Sequence, residues 1–256
     1  MDQTTKPRPA AVGRERDRIF ADAERKVEDF NFGGETAAVF DDMLERSVPF
    51  YPEIQRMTSE LAVDFATDGS AIFDFGCSTC TSFLEIAKGL PEDVTVRFVG
   101  IDSSREMLEV AREKLGHEGF RHQVELRCED LDRGTVVEDA SVALLVLTLQ
   151  FVRPLRREAL IRRIYEGMRE DGCLIMVEKV IGESSTFNRL FINHYYEMKR
   201  RNGYSDLEIA QKREALENVL VPYRLEENKD LLRSQGFRHV DVFFKWYNFC
   251  GILAMK

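Results

Sequence analysis

Short, mostly apolar runs alternate with amphipathic segments along the middle of the chain, and this alternation limits the possible folds more than any other feature. The segments between the runs carry apolar residues at helical spacing. The runs are AIFDF (71–75), VRFVGID (96–102), QVELRCED (123–130), SVALLVLTL (141–149) and CLIMVEKV (173–180). Strands buried on both faces and separated by helices are typical of a parallel, doubly wound sheet. The sequence therefore predicts an α/β fold.

The end of the chain follows a different pattern. Two further apolar runs, 238–244 and 246–255, have only Lys245 between them. No crossover helix fits in a single residue, so we predict a tight or bulged antiparallel connection. With this pair the predicted sheet has seven strands and is mostly parallel, with an antiparallel C-terminal strand.

Two segments lie outside this minimal sheet. The stretch at about 184–219 is helical in pattern and rich in Tyr, Arg and Lys, and we interpret it as an insertion that covers a site. Residues 1–34 are charged and end in Gly33-Gly34, which predicts a partly disordered N-terminal arm. The remaining residues, 35–256, are expected to form one domain.

Charge and composition exclude several kinds of partner. The net charge of −9 argues against a broad surface for nucleic acid or anionic membranes. No apolar run approaches the roughly 20 residues of a membrane span, and the opening MDQTTKPRPA lacks the apolar core of a secretion signal. The five cysteines are an odd, scattered set, which fits a reducing compartment. We therefore expect a cytoplasmic protein with no membrane partner and no direct nucleic-acid partner.

Cys77 and Cys80 form a C-x-x-C, a spacing found in zinc sites and in redox dithiols. A structural zinc site usually needs four ligands, and no second Cys or His pair at ligand spacing accompanies these two. A redox dithiol at a helix N-terminus has more support, but the surroundings of a thioredoxin-like motif are missing. Both interpretations stay open beside a third, a nucleotide site at the same turn.

The nucleotide interpretation depends on residues at the ends of three strands. Gly76 follows the first strand directly, where a side chain would block a ligand's approach to the backbone. The second strand ends in Asp102, 26 residues later, where a carboxylate can accept both hydroxyls of a ribose. The third ends in Glu129-Asp130, where an acceptor can meet an adenine amino group. For each acid alone, a solvated strand-end cap is the alternative.

The glycine pattern is not the dinucleotide G-x-G-x-x-G, and the terminal antiparallel pair favours an S-adenosylmethionine fold over a dehydrogenase. At this point the chain resembles a known family. Members of the carboxy-S-adenosyl-L-methionine synthase family are similar to it over roughly residues 36–256. The segments that carry the resemblance are RSVPFY (46–51), FDFGCS (73–78), GID (100–102), LTLQFVRP (147–154), KRRNGYSDLEIAQKREALENV (199–219) and NFCGILAMK (248–256).

The resemblance implies a class I methyltransferase fold of the Rossmann-like type, a homodimer, and a reaction between S-adenosylmethionine (SAM) and prephenate. The products would be carboxy-S-adenosylmethionine (carboxy-SAM) and phenylpyruvate. A second enzyme would use carboxy-SAM to modify the wobble uridine of tRNA, so this protein need not bind tRNA itself. A SAM-dependent methyltransferase acting on a small acid or natural product is the alternative. A protein that binds such a cofactor without turnover is a third possibility.

The resemblance also assigns residues to the cofactor. Its added carboxylate is assigned to Arg213, since a guanidinium pairs with a carboxylate through two parallel hydrogen bonds. A solvated arginine on a charged helix is the alternative. The other expected cofactor contacts are Tyr51, then Gly76, Cys77 and Ser78 in the first loop, Asp102 and Ser103 at the ribose, Asp130 and Leu131 at the adenine, and Val146 after the fourth strand.

Two positions depart from the family pattern. Cys80 stands where the family has a third loop glycine, and it is expected to add bulk near the cofactor. Val146, or Leu147 in the neighbouring register, replaces an asparagine and removes a polar contact. One match has no assigned role: Glu178-Lys179 lies at the end of the fifth strand, either as site residues or as an exposed pair. Tyr195 and Tyr196 replace histidines of the family, and they belong to a pocket for prephenate, to the core or to a dimer contact.

Overall fold

The computed structural model describes residues 16–24 and 26–256. Their core is one eight-stranded sheet in which one strand has only two residues. The strands are β1 (Ala71–Phe75), β2 (Arg97–Asp102), β3 (Gln123–Cys128), β4 (Ala140–Val146), β5 (Met168–Ile181), β6 (Tyr223–Arg224), β7 (His239–Trp246) and β8 (Phe249–Met255).

The order across the sheet is β3-β2-β1-β4-β5-β8-β7, and β6 pairs separately with β5. Strands β1 to β5 pair in parallel, whereas β8 is antiparallel to both of its neighbours. The order reverses at β1, and an open α/β sheet binds its ligands outside the carboxyl ends of the strands at such a point. The predicted doubly wound sheet with seven strands and an antiparallel C-terminal strand is confirmed, and β6 is a short addition.

Successive side chains of a buried strand point to opposite sides, so both faces of this sheet are apolar. The helices cover both of these faces. Phe73 and Phe75 of β1 join one apolar layer, and Ile72 joins the other. Among the described residues no helix is long and apolar enough to cross a membrane. The helices are α1 (Gly34–Ser47), α2 (Tyr51–Phe65), α3 (Thr81–Gly89), α4 (Arg105–His117), α5 (Pro154–Gly167), α6 (Ser185–Arg201), α7 (Asp206–Leu216) and α8 (Leu225–Ser234).

Four predicted boundaries were wrong, the first being the end of β3 at Cys128 instead of Asp130. The last turn lies at Tyr247-Asn248 instead of Lys245, because β7 runs on to Trp246, which pairs with Phe249. The fourth strand stops at Val146, since Leu147 has a left-handed φ of 60° that ends the extended run. The fifth begins at Met168 instead of Cys173, and a register shift against β4 absorbs the extra residues.

The segment before α1 follows an irregular path over the domain. Residues 1–15 and 25 of the expected N-terminal arm lie outside the described residues. The described part holds turns but no helix. Its Phe30 donates its backbone N–H to Ala215 of α7 at 2.9 Å, and Ser104 donates its hydroxyl to the carbonyl of Phe32 at 2.6 Å. These contacts place two arm phenylalanines against the edge of the sheet.

Candidate functional site

A cavity opens at the carboxyl ends of the parallel strands, beneath α1, α2 and α7. It is the place where the topology predicts a ligand. Nine of the ten residues expected to contact the cofactor line it: Tyr51, Gly76, Cys77, Ser78, Asp102, Ser103, Asp130, Leu131 and Val146.

The loop between β1 and α3 is fixed by its backbone. The N–H groups of Gly76 and Cys77 both donate to the carbonyl of Ile101 on β2, at 2.7 and 3.0 Å. Gly76 has a φ of 81°, and a Cβ there would overlap the side chain of Thr148. Glycine is therefore required for the turn and for the close approach of the two loops.

Gly76→Ala is expected to lower the Tm and to weaken affinity for the cofactor by at least about tenfold. The reason for both effects is that the added Cβ forces the two loops apart. Gly69 is a matched control, since it also has a positive φ (72°) but has open space around its Cβ position. Thermal unfolding and calorimetric titration with SAM measure the two effects. Equal losses in Gly69→Ala and Gly76→Ala would show that strain alone explains them.

The two C-x-x-C thiols are buried, with Cys77 4% exposed and Cys80 fully covered. A hydrogen bond with Cys80, and then burial, raises the pKa of Cys77, which leaves its thiol protonated and unreactive. The described residues contain no group of three His, Cys, Asp or Glu side chains able to hold a metal.

The expectation that Cys80 adds bulk near the cofactor was wrong. Cys80 is outside the cavity lining, and its side chain packs in the apolar layer with Phe83 and Ile86. Its left-handed φ of 59° explains why glycine suits this position, and it turns the side chain into the core. Val146 and Leu147, at the other departure from the family pattern, both line the cavity.

Asp102 is held by two backbone hydrogen bonds. Its Oδ2 accepts from Ser78 N and its Oδ1 from Ser104 N, each at 2.9 Å. Burial raises the pKa of Asp102, and the N–H groups of Ser104, Ser78 and Ser103 oppose that rise. The carboxylate is thus fixed at the end of β2, with lone pairs left for the vicinal hydroxyls of a ribose.

The far end of the cavity is more open. Asp130 is exposed, and its Oδ1 accepts from Asp132 N at 2.9 Å. Leu131 packs partly against the core beside it. Aromatic rings cover this region: Phe32 contacts Phe151 with ring centroids 5.2 Å apart, and both rings line the cavity. A flat apolar slot with an acceptor at its edge suits a purine base.

Asp74 has the most unusual carboxylate of the cavity. Its side chain is 2% exposed, and Oδ1 has no hydrogen-bond partner. Burial, and then the nearby Asp102, raises the pKa of Asp74 to about 8. A buried acceptor without a donor is costly, so this atom fits a ligand that brings an ammonium group. Tyr51, also buried, closes the wall, and its hydroxyl accepts from Gln55 Nε2 at 2.9 Å.

Glu178 holds the loop after β4 in place. Its side chain is 2% exposed and accepts from the backbone N–H groups of Thr148, Leu149 and Gln150, at 3.2, 2.8 and 2.9 Å. Burial raises the pKa of Glu178 to about 8 against the opposing effect of these donors. The sequence left Glu178 as a site residue or an exposed one; it is a buried support for the cavity wall.

Arg213 does not line the cavity and is exposed on α7. The residue before it, Lys212, is 5% exposed and does line it. Consecutive helical residues point about 100° apart, and here α7 turns Lys212 to the cavity of its own chain and Arg213 away from it. The assignment of Arg213 to a carboxylate stays a prediction.

Sequence reasoning missed several lining residues. Phe30 and Phe32 belong to the arm, whose charge concealed their apolar pattern FNF. Lys179 was noted only as a match at the end of the fifth strand, and Lys212 was hidden among the charged residues of α7. Only the tertiary arrangement shows that both lysines face the cavity.

Comparisons with known proteins agree with this site. A family profile described as a methyltransferase domain matches residues 72–172. The carboxy-S-adenosyl-L-methionine synthase of Methylococcus capsulatus is 57% identical over 94% of this chain and 99% of its own length. The synthase of Desulfotalea psychrophila is 43% identical over 90% of this chain and 93% of its own length.

Solved structures show the fold. An O-methyltransferase family protein from Burkholderia thailandensis superposes with a TM-score of 0.63 at 15% identity, covering 87% of this chain and 60% of that one. A putative O-methyltransferase from Nostoc punctiforme superposes with a TM-score of 0.60 at 16% identity, covering 87% of this chain and 59% of that one. With at least 90% of its length matched by these synthases at 43–57% identity, the chain belongs to the carboxy-S-adenosyl-L-methionine synthase family.

Proposed function

We propose that this protein converts SAM and prephenate into carboxy-SAM and phenylpyruvate, which supplies carboxymethylation of the tRNA wobble uridine by a second enzyme. The observation that carries the proposal is a cavity with two chemically different ends. Acids at the ends of β1 and β2 form one side, and the partly buried Lys179 of β5 and the buried Lys212 of α7 form the other. Methyl transfer to a neutral acceptor requires no such cations.

The residues fit SAM on the acidic side. Asp74, with its unpartnered oxygen, would accept from the amino group, and the Gly76 loop would pass close to the amino-acid part. Asp102 would hold the ribose, and Asp130 and Leu131 would flank the adenine. SAM supplies a sulfonium methyl carbon that is activated to exchange a proton for a carboxyl group.

The atoms of the proposed reaction balance. Prephenate loses its ring carboxyl group and its hydroxyl as it aromatises to phenylpyruvate. The carboxyl group replaces one hydrogen of the methyl group, and that proton leaves with the hydroxyl as water. The chain would hold the two reactants together and exclude bulk water. No side chain is needed as a base.

Isotope labelling tests the reaction. The purified protein is incubated with SAM and with prephenate carrying heavy carbon in its ring carboxyl group, and the sulfonium products are weighed. A product heavier than SAM by one labelled carboxyl group supports the proposal. Formation of S-adenosylhomocysteine and a methylated acid would support the alternative methyltransferase instead.

We also propose a cytoplasmic homodimer that does not bind nucleic acid directly. In such a dimer the exposed Arg213, which lies outside the cavity lining of its own chain, would serve the cavity of a second copy. The net charge of −9 supports the absence of a nucleic-acid surface.

Arg213→Ala is expected to reduce formation of carboxy-SAM at least about 100-fold, because the added carboxylate loses its bidentate partner. Affinity for SAM, which has no such carboxylate, should change by less than about threefold. Mixing Arg213→Ala protein with Asp102→Ala protein should restore part of the activity if the arginine acts between subunits. Wild-type activity in Arg213→Ala would show that Arg213 does not bind the added carboxylate.

A further inference from the structure

Three lysines lie in a row at one side of the cavity, with two tyrosine rings between them; Lys199 and Lys212 are buried and Lys179 is partly buried. Lys179 lies 5.1 Å and Lys199 lies 4.9 Å from the ring of Tyr195. Lys199 and Lys212 lie 5.8 and 5.6 Å from the ring of Tyr204. Lys179 and Lys212 line the cavity, whereas Lys199 does not.

This row carries little compensating negative charge. Lys212 Nζ lies 3.7 Å from Asp17 Oδ2, too far for a hydrogen bond, and has no hydrogen-bond partner. That carboxylate oxygen already accepts from the hydroxyl of Tyr204 at 2.5 Å. Among the described residues Lys179 Nζ has no hydrogen-bond or ion-pair partner. Cations withdrawn from water with at most one distant acid are costly, so their retention beside a cavity points to a ligand.

We propose that Lys179 and Lys212 form a carboxylate subsite that binds the second reactant of this enzyme. The subsite rests on the proposed function, because prephenate is a small dicarboxylate and carboxy-SAM carries an added carboxylate. An ammonium group is a compact donor that can bind either. The cavity lining gives both lysines access to the ligand, and among the described residues Asp17 is the one acid that forms an ion pair with either of them.

The subsite would depend on pH. Burial lowers the pKa of Lys179 and of Lys212 to about 8. Only the protonated ammonium binds an anion well, so affinity falls as pH rises through about 8. The charged and titratable groups that face the two lysines are Asp17, Asp42, Arg46, Tyr195, Lys199 and Tyr204.

Methionine substitutions at the lysines test the subsite, since methionine keeps a long unbranched side chain without the charge. At about pH 7, Lys179→Met and Lys212→Met are expected to raise the KM for prephenate about 10- to 100-fold. Affinity for SAM should stay within about threefold. Lys199→Met is the matched control, because it removes a buried lysine from the same row outside the cavity lining, and its KM should change little.

Stability separates binding from structural support. Removing an unpaired buried charge should leave the Tm of Lys179→Met unchanged or raise it, whereas a structural lysine would lower it. In the wild type, calorimetry in buffers of different ionisation enthalpy should show proton uptake when a carboxylate binds above about pH 8, and Lys179→Met and Lys212→Met should lose it.

The probes identify which carboxylate is bound. Titrations use prephenate and phenylpyruvate on protein loaded with S-adenosylhomocysteine, and carboxy-SAM on free protein. If Lys179→Met and Lys212→Met lose affinity for one of these probes but not for SAM, the subsite is supported and that probe is identified as its ligand. Unchanged affinity for all of them, or equal loss for SAM, overturns it. A wild type that makes no carboxy-SAM refutes the proposed function, but lysine-dependent binding of a probe would still support the subsite.

Discussion

Asp102→Ala is expected to weaken SAM binding by about 100-fold or more. Hydrogen bonds to a charged acceptor contribute about 1.5–3 kcal/mol each, and in the proposed site this carboxylate would accept two from the ribose. It also receives the N–H groups of Ser78 and Ser104. Its removal therefore releases the loop that surrounds the amino-acid part of the cofactor.

Calorimetric titration with SAM and with S-adenosylhomocysteine measures this effect. Asp130→Ala is the control, because Asp130 is an exposed carboxylate at the same edge of the sheet, and its loss should cost less than about tenfold. Affinity within about threefold of wild type in Asp102→Ala would contradict the assigned ribose site.

Glu178→Ala is expected to lower the free energy of unfolding by about 4 kcal/mol or more. Three backbone N–H groups of the loop after β4 lose their acceptor in a buried place, and each unsatisfied group costs about 1–3 kcal/mol. The loop carries Leu147 and Thr148 of the cavity wall. Cofactor affinity should therefore fall along with stability.

Glu178→Gln separates the hydrogen bonds from the charge. An amide oxygen can keep the two bonds that Oε1 accepts, while the amide nitrogen cannot accept from Gln150. Its loss of stability should be intermediate. Glu183→Ala removes an exposed carboxylate from the same region and should stay within about 0.5 kcal/mol. If denaturant unfolding shows that Glu178→Ala loses no more free energy of unfolding than Glu183→Ala, the supporting role of Glu178 is refuted.

The sequence predicted the sheet well because buried parallel strands have a strong local signal. AIFDF is β1 residue for residue, and its continuous apolar pattern needs no tertiary information. The end of β2 was equally predictable, and β3 ends only two residues before the predicted Asp130, so Asp102 and Asp130 were found as neighbours of one cavity. The carboxyl ends of parallel strands lie at the same edge of the sheet, so residues that end successive strands in the sequence are close together in the fold.

The rest of the site depends on which way a helix or an arm faces. The motif around α7 pointed to Arg213, but the helix presents Lys212 to the cavity. Its hydrophobic pattern is weak and cannot specify the buried face. Phe32 was concealed for a related reason, because a charged, irregular segment has no periodicity. The C-x-x-C spacing suggested a reactive thiol at Cys80. Its left-handed backbone conformation and its packing in the apolar layer instead show a structural role.

The mass of the small molecule that leaves the freshly purified protein on denaturation tests the central claim most directly. The claim is that the acidic end of the cavity holds SAM while the cationic features retain an added carboxylate. We predict a released sulfonium compound heavier than SAM by one carboxyl group, or its formation when SAM and prephenate are supplied. Release of SAM or S-adenosylhomocysteine alone, with no heavier product after prephenate is added, would contradict the account.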